Sequence, residues 1–183
     1  VNREELAHVL RSAATIVEDG HILVVGSQSI LGTADEPGLP EAATMSVEAD
    51  LVFFDDPEES KMDHLDGAIG EGSAFHRQFG YYAQGVSIET SILPVGWRDR
   101  LVAFRREDAK PSDAWCLEAH DLVVAKLVAN REKDREFAIA LIVADLIDVR
   151  TLLERVWALD QPDAVKVRVH AAIERAARAA GCG

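Results

Sequence analysis

Cysteine occurs only twice in the 183 residues, at Cys116 and Cys182, and never as a CxxC pair. That excludes a disulfide framework and a cysteine zinc site, and it predicts a reducing, cytoplasmic setting. No apolar run approaches the roughly 20 residues needed to cross a bilayer, and the first segment is acidic and amphipathic rather than a signal peptide, so no membrane partner is expected. Internal repeats and low-complexity tracts are missing, which argues against disorder. Positive charge is scarce: 19 Lys plus Arg stand against 32 Asp plus Glu, a formal net charge of −13. Bulk charge of that sign excludes a protein that coats nucleic acid.

What is present is an ordinary globular composition, 48% hydrophobic and 28% charged, long enough to bury its own core. The acidity is local. Residues 35–71 hold 12 acids and only Lys61, which is −11, so the rest of the chain sums to −2. Arg98, Arg100, Arg105, Arg106 and Lys110 crowd one short stretch. With Lys126, Arg131 and Lys133 they could offer a basic face to one RNA end, though a solvated mixed-charge surface is the plainer reading.

Periodicity divides the chain in two. Leu6, Val9, Leu10, Ala13, Ile16 and Val17 fall on one face of a helix over 3–18, stopped near Gly20. Residues 21–25 read as a buried strand ending at Gly26-Ser27, with Ser27 capping a helical turn. Prolines at 37 and 40 predict a loop over 33–46. A second strand covers 51–54, entered through 47–50. Short helices broken near Gly70 and Gly72 follow, then strands around 85–90 and 100–104. From Leu117 to Ala180 the pattern is helical, with breaks near Asn130, Leu146 and Pro162. The expected architecture is an α/β (α+β) mixed sheet flanked by helices, with a core over 1–110 and a C-terminal helical bundle over 111–183 packing on it. Trp97, Trp115 and Trp157 are expected in packed positions.

Three elements carry chemistry. Gly26-Ser27 follows a strand, where a glycine lets backbone approach a ligand and the start of a helical turn offers unpaired N–H groups to phosphate. A turn with an N-cap explains the same two residues, and no Gly-Lys-Ser/Thr follows, so this is not a P-loop. Glu48 and Asp50 are two apart on a strand and project on one face, where like charges repel unless a hard cation such as Mg²⁺ lies between them. Their plainer reading is a solvated strand entrance. Glu89 interrupts a β-branched run; beside the first pair it would complete a three-carboxylate cage, and otherwise it is an outward residue of a half-exposed strand. The six histidines show no metal-ligand spacing, and Asp148 reads as a helix N-cap.

Gly26-Ser27, an acid-x-acid pair on the next strand and a single later acid together resemble the minimal nucleotidyltransferase superfamily, the DNA polymerase beta-like fold. The segment His120–Asp134, HDLVVAKLVANREKD, resembles a stretch of bacterial nucleotidyltransferase-like proteins of toxin–antitoxin and abortive-infection type. The resemblance implies that Gly26 and Ser27 hold the triphosphate of an NTP and that Glu48 and Asp50 chelate Mg²⁺. It further implies Glu89 as third ligand or base, Lys126 as a catalytic cation, and Lys126 and Lys133 as nucleotide contacts. The implied reaction moves an NMP to an RNA (tRNA) or protein hydroxyl, possible partners including a cognate operon protein. Glu48 departs from the usual Asp, moving its oxygens outward by about 1.5 Å, one C–C bond. That departure, with no basic residue in 42–46, leaves a second reading open: a catalytically degenerate binding module or antitoxin-like partner.

Overall fold

The computed structural model describes residues 1–34, 36–105 and 113–181. The chain opens with α1 (Arg3–Val17), whose start is closed by a reciprocal capping box between Asn2 and Glu5. Leu6, Val9, Leu10 and Ala13 of α1 are buried, as the periodicity predicts. The left-handed residue that ends the helix is Glu18 rather than Gly20. Next comes β1 (Ile22–Val25), wholly buried, and a 3₁₀ turn at Ser27–Ser29 leading into the short α2 (Ile30–Thr33). Residues expected as loop contain a 3₁₀ turn at Glu36–Gly38 and α3 (Glu41–Thr44).

The second strand, β2 (Glu48–Phe53), includes the acidic entrance. It is followed by α4 (Ser60–Ile69), α5 (Ala74–Phe79) and β3 (Tyr82–Gly85). After two further 3₁₀ turns, Ile88–Thr90 and Trp97–Arg100, come β4 (Val102–Ala103) and β5 (Ala114–Cys116). Helices α6 (Ala119–Ala129), α7 (Glu132–Val143), α8 (Val149–Trp157) and α9 (Asp163–Ala179) complete the chain. Their breaks fall where Asn130, Leu146 and Pro162 predict.

Among the described residues five strands form one mixed sheet in the order β3-β2-β1-β5-β4. The pairs β1/β2 and β4/β5 are antiparallel, whereas β1/β5 and β2/β3 are parallel. The mixed α/β class is therefore as the sequence predicts. Two strand assignments change. The run at 85–90 is not a strand: pairing with β2 ends at Gly85, and Glu89 lies on the 3₁₀ turn that follows. Beyond Pro111 the chain adds β5 to the sheet before becoming helical, so the sheet crosses the expected boundary at residue 110.

The core is continuous between sheet and helices. Helix α6 is apolar around most of its circumference, and Leu122, Val123, Val124 and Leu127 are buried where it packs against α2, the Ser27–Ser29 turn and the later helices. Two of the tryptophans depart from expectation: Trp115 is exposed, and Trp157 is 53% exposed because α8 turns Leu152 and Val156 inward instead. Arg106, Lys110 and Cys182 lie outside the described residues.

Candidate functional site

The site begins at the end of β1. Antiparallel pairing sets Val25 opposite Asp50 of β2. The next residue, Gly26, has φ +64° and ψ −164°, a conformation that side chains rarely adopt. A Cβ on Gly26 would lie 1.9 Å from Asp50 Oδ2. Glycine is thus required twice, by the backbone and by the carboxylate folded over it. The expected N-cap is not formed by Ser27: Gly26 holds the cap position, and the Ser27 hydroxyl accepts a hydrogen bond from Lys126 Nζ at 3.0 Å.

Glu48 and Asp50, two apart, share one face of β2. Burial, and then the neighbouring Glu48 carboxylate, push the Asp50 carboxyl up to about 7, against the pull of Lys126 and Lys133. Two carboxylates kept this close fit one hard divalent cation. Mg²⁺ characteristically takes one or two protein carboxylates and completes its shell with substrate oxygens and water. Among the described residues no cluster of three or more acids, histidines or cysteines could hold a metal.

In-register pairing with β3 explains what flanks the pair. Tyr82 lies beside Glu48 and Gln84 beside Asp50. Tyr82 Oη donates to Glu48 Oε2 at 3.1 Å, and burial together with that carboxylate raises the phenol to about 12. The strand neighbour of the pair thus carries a phenol and an amide where a further acid was expected. Glu89 is exposed on its turn. It lines a separate cavity of about 420 Å³ with Phe54, Asp55, Asp56 and Glu59.

The helical wall supplies the cations. Lys126 points from α6 into the cleft and is 9% exposed. Its Nζ lies 3.6 Å from Asp134 Oδ1 and 4.7 Å from the centre of the Phe137 ring. Burial pulls its pKa down, and Asp134 opposes that most strongly. Asp134, fully buried at the start of α7, also accepts from Arg131 Nε at 2.7 Å and from the Arg131 backbone N–H. Burial raises the Asp134 carboxyl, but the Arg131 hydrogen bond and the Lys126 and Arg131 charges outweigh it, so it is held below its usual value. Lys133 is exposed on α7, close enough for its charge to act on Asp50.

These walls enclose a cavity of about 590 Å³. Gly26, Asp50, Lys126, Arg131 and Arg168 line it, and Val86, Leu122 and Val128 are among its apolar residues. Of the residues predicted from sequence, Gly26, Asp50 and Lys126 face this cavity directly. Ser27 joins it through its hydrogen bond to Lys126, and Glu48 adjoins it as the strand-face neighbour of Asp50. Arg168, Tyr82 and Gln84 are not among those predicted. Arg168 comes from α9, far along the chain; the other two are marked only by strand register. In the expected basic stretch, Arg100 is bound to Asp121, and Arg98 stacks on Trp97 and Phe54.

A family model described as nucleotidyltransferase of unknown function (DUF6036) matches residues 4–172, from the first turn of α1 into α9. No curated protein matches the chain, and no solved structure does.

Proposed function

The chain belongs to this nucleotidyltransferase family, and from that premise we propose that the cleft transfers an NMP from an NTP to an RNA (tRNA) or protein hydroxyl. The observation that carries the proposal is the convergence of Gly26, Asp50 and Lys126 on one cavity of about 590 Å³. A cavity of that size, lined by both charged and apolar residues, suits a nucleotide.

Glu48 and Asp50 would hold Mg²⁺, which when bound supplies positive charge to the attacking and leaving oxygens. Lys126 is fixed by Ser27 and Asp134, so its charge is aimed before substrate arrives and costs no reorganisation during transfer. Arg131 and Arg168 add guanidinium donors suited to phosphate oxygens. The apolar wall at Val86, Leu122 and Val128 would receive the nucleoside. A toxin–antitoxin setting, with a cognate operon partner, belongs to the same proposal and rests on the resemblance of His120–Asp134 alone.

Isothermal titration of NTP with Mg²⁺ tests the site: Asp50→Ala should bind at least tenfold more weakly than wild type, about 1.4 kcal/mol. Equal tight binding by both would remove Asp50 from the site. Labelled NTP incubated with total RNA or with lysate then separates the acceptors by where label appears.

The second reading, a degenerate nucleotide-binding module, is favoured by one observation: Gln84 rather than an acid pairs with Asp50. Under that reading NTP binds but label passes to no acceptor.

A further inference from the structure

Glu48 raises a geometric problem for the pair that holds the cation. Its side chain has one more rotatable bond than aspartate, so a carboxylate at the edge of the cleft would sample several positions and lose that freedom on binding metal. The neighbouring strand removes the freedom. Parallel pairing sets Tyr82 beside Glu48, and the Tyr82 hydroxyl donates to Glu48 Oε2 at 3.1 Å. Tyr82 is itself fixed: it is 8% exposed, and its ring packs 4.7 Å from that of His76. One oxygen of Glu48, Oε2, is therefore held by a rigid donor on the side of the neighbouring strand.

We infer that Tyr82 is the positioning residue of this site, holding Glu48 so that the longer carboxylate can bind a divalent cation alongside Asp50. The inference rests on the metal-holding reading of Glu48 and Asp50 given above. A hydroxyl suits this task better than a cation would, because it orients the carboxylate without cancelling the charge that attracts the metal. Gln84, two register positions along and beside Asp50, is likewise neutral. The strand next to the acids therefore supplies hydrogen-bonding groups and no charge of its own. Partners of metal-binding carboxylates commonly act in this way.

The test is titration of Mg²⁺ alone into wild type, Tyr82→Phe, Asp50→Ala, Glu48→Asp and the Tyr82→Phe/Glu48→Asp double variant, with thermal melting to confirm folding. Phenylalanine keeps the ring contact with His76 and removes only the hydroxyl. Tyr82→Phe should weaken Mg²⁺ binding by about tenfold. In the Glu48→Asp background, where the shorter carboxylate no longer reaches the hydroxyl, removing it should cost less than about twofold, a non-additivity that a purely structural role would not give. Wild-type affinity in Tyr82→Phe, with binding lost in Asp50→Ala, would overturn the positioning role and leave the metal site standing. An equal loss on removing the hydroxyl from wild type and from the Glu48→Asp variant would also overturn it. Failure of wild type to bind Mg²⁺, or equal binding by Asp50→Ala, would remove the metal site and with it the role of Tyr82.

Discussion

Two aspartates, Asp121 on α6 and Asp134 on α7, are each fully buried and each faced by two cations. Around Asp121, Arg100 makes a two-point contact, Nε to Oδ2 at 2.8 Å and Nη2 to Oδ1 at 3.0 Å, and Arg155 Nε lies 3.3 Å from Oδ1. Arg100 directs its other donors to the carbonyls of Pro94 and Val95, and Val95 in turn donates to the carbonyl of Ala158. That cluster fastens the 94–100 loop to α6 and the end of α8. Around Asp134, one cation, Lys126, reaches past its partner to Ser27 and lines the cavity, and Arg131 lines it as well. The two carboxyls also titrate differently. Burial lifts Asp121 above its usual value despite Arg100, whereas the Arg131 hydrogen bond and the Lys126 charge bring Asp134 below it.

A buried ion pair by itself is therefore no mark of a site in this protein. What separates the two clusters is whether a cation lines the cavity: Lys126 and Arg131 do, and Arg100 and Arg155 are not among its lining residues. The sharpest break of the comparison is Asp121→Ala. It should lower unfolding free energy by about 3 kcal/mol, because two guanidiniums lose their shared counter-charge in a partly buried place. Nucleotide affinity per folded molecule should stay at the wild-type value. Urea unfolding and titration on the same sample read both quantities, and a large loss of affinity with little loss of stability would exchange the roles of the two clusters.

Asp134→Asn should divide its effect. Loss of the charge weakens the start of α7 and strips Lys126 of the group that most opposes its deprotonation, for a stability cost of roughly 1–2 kcal/mol, below that of Asp121. Nucleotide affinity should fall as well. The pH dependence has a defined sign: burial already lowers the Lys126 pKa, and without Asp134 it drops further. As pH rises, the variant should lose nucleotide binding earlier than wild type. Identical pH profiles would mean that Asp134 serves only to start the helix.

The same contrast explains which parts can be read from sequence. Lys126 stands out because a cation interrupts an otherwise apolar helix, and Glu48/Asp50 because two acids open a strand whose later residues are hydrophobic. Asp121 breaks the same helix just as visibly, yet its partners Arg100 and Arg155 come from distant segments, so nothing near it along the chain signals that it is sealed. Glu89 misleads because Val86 and Ile88 have the chemistry of a strand. Pairing is decided by the neighbours: a Cβ at Gly85 would sit 2.7 Å from the backbone of Met62, Asp66 accepts from the Gly85 N–H, and the Val86 N–H bonds the Leu51 carbonyl before the 3₁₀ turn begins. Tyr82 carries no motif at all. Its significance is its place opposite Glu48, and register emerges only once the strands are paired.

The smallest expected effect concerns Arg168, which tests how far the open cluster extends. It lines the same cavity as Lys126 and Arg131, but from α9, and its one described hydrogen bond is long: Nη2 to the Val128 carbonyl at 3.4 Å. It is not bound to a buried carboxylate as Arg131 is, so its side chain is only loosely preorganised. Arg168→Gln should leave unfolding free energy within about 0.5 kcal/mol of wild type, the usual range for a surface change. NTP affinity should drop about fivefold, close to 1 kcal/mol. The loss should shrink as salt rises, since a guanidinium at the cavity mouth acts through screened charge. If instead affinity is unchanged at low salt, the cation set ends with Lys126 and Arg131, and α9 contributes only a wall.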